Sequence, residues 1–577
     1  MRIRIKFAIF SNLVLTGLVM SSPAITTAQT IDACPYPYQI FNSTYTLKHV
    51  FDCLDQSINQ GDGYKNSNNE SGQLVWLESR IMLAYLRIYQ ATNDIKYLYK
   101  YIDHADAVLS KRDSELGKVT YDNLSQPVWG TDGHATISQP LILKDAQDNP
   151  GLEIIGNAPS YNNETYVTVE SGTQPQTYKL TAINNTLSSR SPQVFDNLTQ
   201  ASVEAVINSV TDHRKRLIKV RVLGNDPPQY QTSPELTTQR IVMLLHTGRI
   251  TEHLAMFAYL VKSDPSLNQG LFLNKAAQYL NAAIAALEIH KNEWEEIGNR
   301  GYYRFTKGSP FWADGIVVPH NQYLSAGLTY LNLFLATGNT SYRDKVIQMA
   351  NNFKYCSLDP TYDKRACLRT IDNGSYIWPY WWAEGALGWK AESGLSINTK
   401  EATMPPTVED TGHGAIDLAL AYEAFANDMG ITAEDIGRFN LTVKNNILSK
   451  LPNFPDKVDG TGSFLAGLSD LSGLALAGLY DPEIIDIVKG FASTTDYRVD
   501  TNSRPLLMQS LAEIAYVFKR TNQLPLAGDT NNDRLADFID YQVWQNNYAQ
   551  FSNQGQTAGD FNFDQKSNVF DFGIWRK

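Results

Sequence analysis

Two stretches of this chain, LAYLRIYQATNDIKYLYKYIDHAD at 83–106 and LTYLNLFLATGNTSYRDKVIQMAN at 328–351, align without a gap at an offset of 245 residues. Leu83 meets Leu328, Leu86 meets Leu331, Tyr89 meets Phe334, Tyr97 meets Tyr342 and Ala105 meets Ala350. Within a copy the apolar residues recur at three- and four-residue intervals, as in Met82, Leu86, Tyr89 and again Leu98, Tyr101, Ala105, Val108. That is the spacing of a buried helix face, with a polar turn between two such runs. The unit is a helical hairpin, and repeated hairpins bury their apolar faces against one another. Weaker relatives run through 252–288, 415–450 and 466–520, so one repeated unit accounts for much of the 577-residue chain.

Residues 135–228 break the pattern. TYVTV at 165–169, TYKLTAI at 177–183 and RLIKVRVL at 216–223 are β-branched or alternating runs separated by Gly, Pro, Asn and Ser. They predict a small β insertion that divides a mainly α body into 29–134 and 229–520. A short linker, TNQLPLAG at 521–528, precedes a C-terminal module over 521–577.

The N-terminus reads MRIRIK, then the fourteen apolar-rich residues FAIFSNLVLTGLVM, then SSPAITTA ending at Ala28, the order of a secretory signal. Fourteen residues are too few for a bilayer span, which needs about twenty, so the expectation is an exported protein without a membrane span. The formal net charge is −11. Removal of 1–28, with three basic and no acidic residues, makes it about −14, which argues against nucleic acid or an anionic membrane as partner. Four cysteines fall as two sequence-local pairs, Cys34 with Cys53 and Cys356 with Cys367, which in an exported protein predicts two disulfides.

Near the end, GDTNNDRLADFID from Gly528 and GDFNFDQKSNVFD from Gly559 place oxygen side chains at loop positions 1, 3, 5, 9 and 12. These are Asp529, Asn531, Asp533, Asp537 and Asp540, then Asp560, Asn562, Asp564, Asn568 and Asp571. Position 7 adds the backbone carbonyls of Leu535 and Lys566. A hard divalent cation takes six to eight oxygens at roughly 2.3–2.6 Å, and a twelve-residue loop wraps them around one point, so both loops are predicted to bind structural calcium. Arg534 and Gln565 replace the usual Gly at position 6, and Asp replaces Glu at position 12. The duplicated loop, each copy preceded by Gly and followed by a short helix, resembles the EF-hand-like repeats of type I dockerins. That resemblance covers about residues 525–577 and implies a secreted, polysaccharide-degrading context and a cohesin-like partner. Positions 10 and 11, which carry partner specificity in that family, are Phe538-Ile539 and Val569-Phe570.

An array of helical hairpins behind a signal sequence, with such a tail, resembles the (α/α) toroid enzymes: polysaccharide lyases, six-hairpin glycosidases and uronyl epimerases. The resemblance is architectural, covers about residues 70–520 and names no reaction by itself.

Three segments between hairpins carry the candidate chemistry. GYYRFTKGSPFWADGIVVPHNQY at 301–323 brings Tyr303, Arg304, Trp312, Asp314, His320 and Asn321. In the lyase branch of the toroids an Asn or Gln beside a His neutralises a uronate carboxylate while a Tyr or His abstracts the C5 proton, and His320-Asn321 resembles that pair. YIWPYWWAEGALGW at 376–389 carries Trp378, Trp381 and Trp382, which either stack on sugar rings or form an aromatic core between hairpins. TVEDTGHGAIDLALAYEAF at 407–425 places Glu409, Asp410 and His413 ahead of an amphipathic helix. Asp410 or Thr411 caps that helix, and a His flanked by two carboxylates also forms a general acid/base assembly. Of the remaining histidines, His104 lies mid-helix in a repeat, His49 and His290 have no nearby partners, His213 sits among Arg214-Lys215-Arg216, and His134, His246 and His253 fall at predicted loop edges from which they could join the cleft. No Gly-rich phosphate loop, Gly-x-Ser-x-Gly elbow or zinc-protease helix is present.

The functional expectation is a secreted carbohydrate-active enzyme acting on an extracellular polysaccharide. Hydrolysis would pair Glu409 or Asp410 with Asp314, and β-elimination would use His413, His320 or Tyr303 as base with Asn321 and an Arg or Lys as neutraliser. A non-catalytic glycan-binding or scaffold-attached surface protein and a uronyl epimerase are the alternatives.

Overall fold

The computed structural model describes residues 47–132, 136–156, 164–185, 191–209, 216–494, 503–523 and 538–548. The signal-like segment, Cys34, His134, His213 and both acidic loops up to Asp537 and from Asp560 lie outside the described residues, as does the side chain of Asp540. The described chain is mainly helical, with five small sheets.

Helices α1 (Leu47–Ser57), α2 (Ser79–Thr92), α3 (Lys96–Leu109) and the short α4 (Asp113–Leu116) come first. Strands β1 (Leu141–Lys144), β2 (Pro150–Gly156), β3 (Thr165–Ser171), β4 (Tyr178–Asn184), β5 (Gln193–Leu198), β6 (Ile218–Val222) and β7 (Gln231–Thr232) follow, with α5 (Val203–Asn208) among them. They form two antiparallel sheets, ordered β1-β2-β6 and β5-β4-β3-β7. Along β4 the side chains alternate: Tyr178, Leu180, Ala182 and Asn184 are buried and those between are not, the period of a strand with one covered face. These strands own a separate apolar core that includes Leu152, Ile154, Val167, Val169 and Leu180.

The helical body resumes with α6 (Leu244–Ser263), α7 (Gly270–Glu288), the hairpin of β8 (Trp294–Ile297) and β9 (Arg300–Tyr303), α8 (His320–Thr337), α9 (Thr340–Lys354) and α10 (Ala383–Leu387). Then come α11 (Thr411–Ala426), α12 (Ala433–Leu441), α13 (Pro482–Thr494), α14 (Arg504–Gln523) and α15 (Phe538–Asn547). α14 therefore extends three residues into the stretch expected to be linker.

The 245-residue offset holds down to single atoms. Asn93 and Gly338, paired by it, both end their helices in the left-handed conformation, at φ 56° and 72°. Thr92 Oγ1 donates to the Ile88 carbonyl and Thr337 Oγ1 to that of Leu333. Asp94 Oδ1 then accepts from the Lys96 amide, as Asn339 Oδ1 does from that of Ser341, so one polar side chain starts each second helix.

α2 packs against α14 and α6, α6 against α8, α8 against α11, α11 against a 3-10 turn at Ala475–Leu479, and that turn against α14. Each also carries a second helix: α3 on α2, α7 on α6, α9 on α8, α12 on α11, α13 on the 3-10 turn and α1 on α14. α6 and α8 are buried around nearly their whole circumference, as expected of helices enclosed by others. Their close approach requires Gly248, where a Cβ would stand 2.6 Å from the Ala326 amide nitrogen.

The predicted disulfide between Cys356 and Cys367 is formed, with Cα atoms 5.3 Å apart. Cys53 is disulfide-bonded as well. Among the described residues, no helix is long and apolar enough to cross a membrane.

Candidate acid/base site at the helix N-termini

The three loop segments singled out in the sequence meet. The His320 amide donates to the Tyr380 carbonyl at 3.4 Å, the Glu409 amide to the Trp378 carbonyl at 2.9 Å, and the Tyr380 amide to the Thr407 carbonyl at 2.8 Å. Where they meet, the N-terminal end of α11 faces the turn that leads into α2.

Asp410 is the N-cap of α11, its Oδ1 accepting from the His413 amide at 2.9 Å. Its other oxygen, Oδ2, lies 2.6 Å from His413 Nδ1. Both side chains keep about a third of their surface open, 35% for Asp410 and 31% for His413. Burial works against each charge, but the mutual hydrogen bond and attraction outweigh it, so Asp410 is held below the usual carboxylate value of 3.8 and His413 above 6.5. His413 Nε2 has no partner among the described residues.

Glu409 is fully buried, accepting from the Asp410 amide at 2.9 Å and from Asn321 Nδ2 at 3.2 Å. Asp417, two turns into α11, is also fully buried and accepts from Trp378 Nε1 at 2.8 Å. Its carboxyl hydrogen-bonds that of Glu409. Two carboxyls bond to each other only through a proton, and burial first, then mutual repulsion, pushes Glu409 well up, as burial does Asp417. Asp410 is thus held low beside a buried carboxyl pair that is pushed up, the separation of acid and base roles that environment can impose on like groups.

Tyr380 completes this wall. Its ring meets that of His413 edge-on at 5.5 Å, and its phenol accepts hydrogen bonds from Gln322 and Asn321. On the other side Trp76 meets His413 edge-on at 5.8 Å. Beyond Trp76, across Gly72, stands His246, whose Nδ1 lies 3.0 Å from Asn69 Nδ2. Trp76, Tyr380, Gln322, Asn69 and His246 were not assigned catalytic roles from sequence. Their nearness follows from four segments ending together in space, which leaves no trace in spacing along the chain.

Glu409, Asp410 and His413 present ligand atoms within 4.8 Å of one another and are the donors that could hold a metal ion. A metal there would need Glu409 deprotonated and Asp410 turned from His413 Nδ1 toward the ion.

Other predicted residues lie elsewhere. Asp314 is buried and its oxygens accept from Gly308, Ser396, Ile397 and Asn398, so it staples two loops instead of offering a second carboxylate to Glu409 or Asp410. Tyr303 is buried with its hydroxyl on that of Tyr330 at 2.8 Å, and burial drives its pKa well up, so it is no accessible base. His320 is next to the site but buried, with Nδ1 on Tyr323 at 2.9 Å, and desolvation lowers it to about 3. Arg304 is held by Glu295 and Glu384.

The tryptophans expected to bind substrate are core residues. Trp378, Trp381 and Trp382 are 0%, 7% and 8% exposed, and their indole nitrogens donate to Asp417, the Val317 carbonyl and the Val318 carbonyl. Trp312 is buried too, stacked on Trp389. His290 does have partners, Thr247 at 2.9 Å and Glu293 at 2.6 Å, and His104 is buried against Glu78 at 2.6 Å.

No protein-family model and no curated protein matches the chain. Among solved structures, a family 76 glycoside hydrolase from a bovine Bacteroides thetaiotaomicron strain is similar over 67% of this chain and 99% of its own, at 11% sequence identity and a TM-score of 0.26.

Proposed function

We propose that this protein is an exported enzyme that cleaves glycosidic linkages in an extracellular polysaccharide by proton transfer at His413. The observation that carries the reading is the half-open Asp410–His413 pair set against the buried Glu409–Asp417 carboxyl pair. Asp410 fixes the proton on Nδ1 and leaves Nε2 without a partner among the described residues, the arrangement in which an imidazole exchanges a proton with a bound reactant. Glu409 sustains this arrangement by bonding the Asp410 amide, and Asn321 links it to the Tyr380 wall.

The carbohydrate assignment draws on the signal-like N-terminus, the dockerin-like loops and an (α/α) toroid as the form of the helical body. The toroid is supported by the closed cycle of helix contacts from α2 through α6, α8, α11 and the Ala475–Leu479 turn to α14. In this reading the tail from 521 holds two calcium ions as structural elements and offers a surface to a cohesin-like partner.

The test is incubation of the purified full chain with a panel of polysaccharides, following both reducing ends and ultraviolet absorbance. New reducing ends without absorbance mean hydrolysis; absorbance at the unsaturated sugar means β-elimination. Binding without either product would make the protein a non-catalytic glycan binder.

A further inference from the structure

Arg80 lies on α2 one turn beyond Trp76 and is half-buried. Its Nε donates to the Trp76 carbonyl at 3.1 Å, and its Nη1 to Ser472 Oγ at 3.1 Å and to Gln509 Oε1 at 3.0 Å. No carboxylate pairs with it among the described residues. The other two arginines of the same cavity are paired, Arg87 with Glu423 at 2.6 Å and Arg249 with Glu252 at 3.2 Å. The third acidic group there, Glu513, is committed as well. Its Oε1 accepts from Gln509 Nε2 at 2.7 Å and its Oε2 from the Gly473 amide at 2.6 Å. Gln509 therefore stands between guanidinium and carboxylate.

This solvent-open pocket is lined by Arg80 together with Gly412, Ser472 and Gly473, and Gly412 adjoins the Asp410–His413 pair. A guanidinium offers five N–H donors in a planar fork. Neutral oxygens take only some of them, and Nη2 makes no hydrogen bond among the described residues. Desolvation, with Arg249 close by, pulls Arg80 down to about 9. An anion would relieve that penalty and is the ligand whose geometry the fork matches.

We propose that Arg80 binds an anionic substituent of the substrate glycan, a carboxylate or a sulfate ester, and so sets that sugar beside His413. The chain's net charge of −11 would repel such a polymer at long range, but screening confines that repulsion to about 10 Å at ordinary ionic strength. The local cation then decides binding. The sugar part rests on the function proposed above; the anion site does not.

The test is titration calorimetry of the full chain with three uncleaved trisaccharides: trigalacturonate, a sulfated neutral trisaccharide and maltotriose. At least one anionic ligand is expected to bind ten times or more tightly than maltotriose, and the better of the two identifies the substituent. Arg80→Gln should reduce that affinity to the maltotriose level with an unchanged circular-dichroism melt. Arg80→Lys, which keeps the charge and loses the fork, should fall between, and it decides the matter if Arg80→Gln does not fold. Equal binding of all three, no binding of either anion, or parental affinity in Arg80→Lys and Arg80→Gln would overturn the site. His413→Ala separates the two readings: anion binding that survives while turnover is unaffected sinks the proposed chemistry and leaves the Arg80 site standing.

Discussion

Asp410 serves His413 twice, capping its helix through Oδ1 at 2.9 Å and bonding its imidazole Nδ1 through Oδ2 at 2.6 Å. Structural and chemical roles that compete in sequence are thus met by the two oxygens of one carboxylate. The cap fixes where the helix starts, and the helix start fixes where the imidazole stands.

The first expectation concerns His413 titration. Asp410→Asn keeps a cap acceptor but removes the charge, so the imidazole pKa, raised above 6.5 in the parent, should drop in an NMR titration. Asp410 is depressed, so its contribution to stability is present above its unfolded pKa and lost as pH falls through the lower folded value. His413 is raised, so its contribution is present below 6.5 and lost as pH rises through the higher folded value. The pair should therefore stabilise most between roughly pH 4 and 6.5. An imidazole pKa that is unchanged in Asp410→Asn contradicts the coupling.

Asp417→Asn tests the shared proton. A carboxyl whose folded pKa is raised destabilises progressively as pH climbs above its unfolded value. The variant should melt higher than the parent at pH 8, by several degrees, and the gain should shrink toward pH 4. Asparagine can accept from Trp378 and donate to Glu409, so geometry is kept. A variant that melts lower at pH 8 would show that the pair is ionised and compensated.

For the tryptophans, the expected readout is stability. Trp381→Ala and Trp382→Ala each remove a buried indole bonded to a backbone carbonyl, and should cost on the order of 3–5 kcal/mol in denaturant unfolding. Trp76→Ala, at the half-buried ring beside His413, should leave the melt nearly unchanged and weaken saccharide binding. The reverse pattern would return the aromatic segment to a sugar-binding role.

Calcium should bind the tail as two sites. Calorimetric titration of the chelator-treated chain is expected to give a stoichiometry near two, falling to about one in Asp529→Ala or Asp560→Ala. Unchanged stoichiometry in both variants would remove the loops as ligands.

Much of the helical body is legible in sequence because its signal is local. Asn93 and Gly338, Thr92 and Thr337, and Asp94 and Asn339 each act within one turn, so spacing alone exposes them. His413 and its two carboxylates are legible for the same reason, lying within five residues. For Trp378, Trp381 and Trp382 the sequence leaves sugar stacking and core packing open, because burial depends on Val317, Val318 and Asp417, which pattern along the chain cannot bring near. Asp314 fails likewise, its partners at 396–398 being over eighty residues away. Arg80, Trp76, Tyr380 and His246 acquire meaning only when α2, α6, α8 and α11 begin at one place.

The central claim is that His413 transfers a proton in breaking a glycan. The direct measurement is product formation by the parent chain and His413→Ala on a polysaccharide panel, scored by reducing ends and ultraviolet absorbance, with a melt recorded for each. The account predicts product from at least one polysaccharide and a loss on the order of a hundredfold or more in the variant, with the melts nearly equal. Parental activity in His413→Ala, or saccharide binding with no product anywhere on the panel, would contradict it.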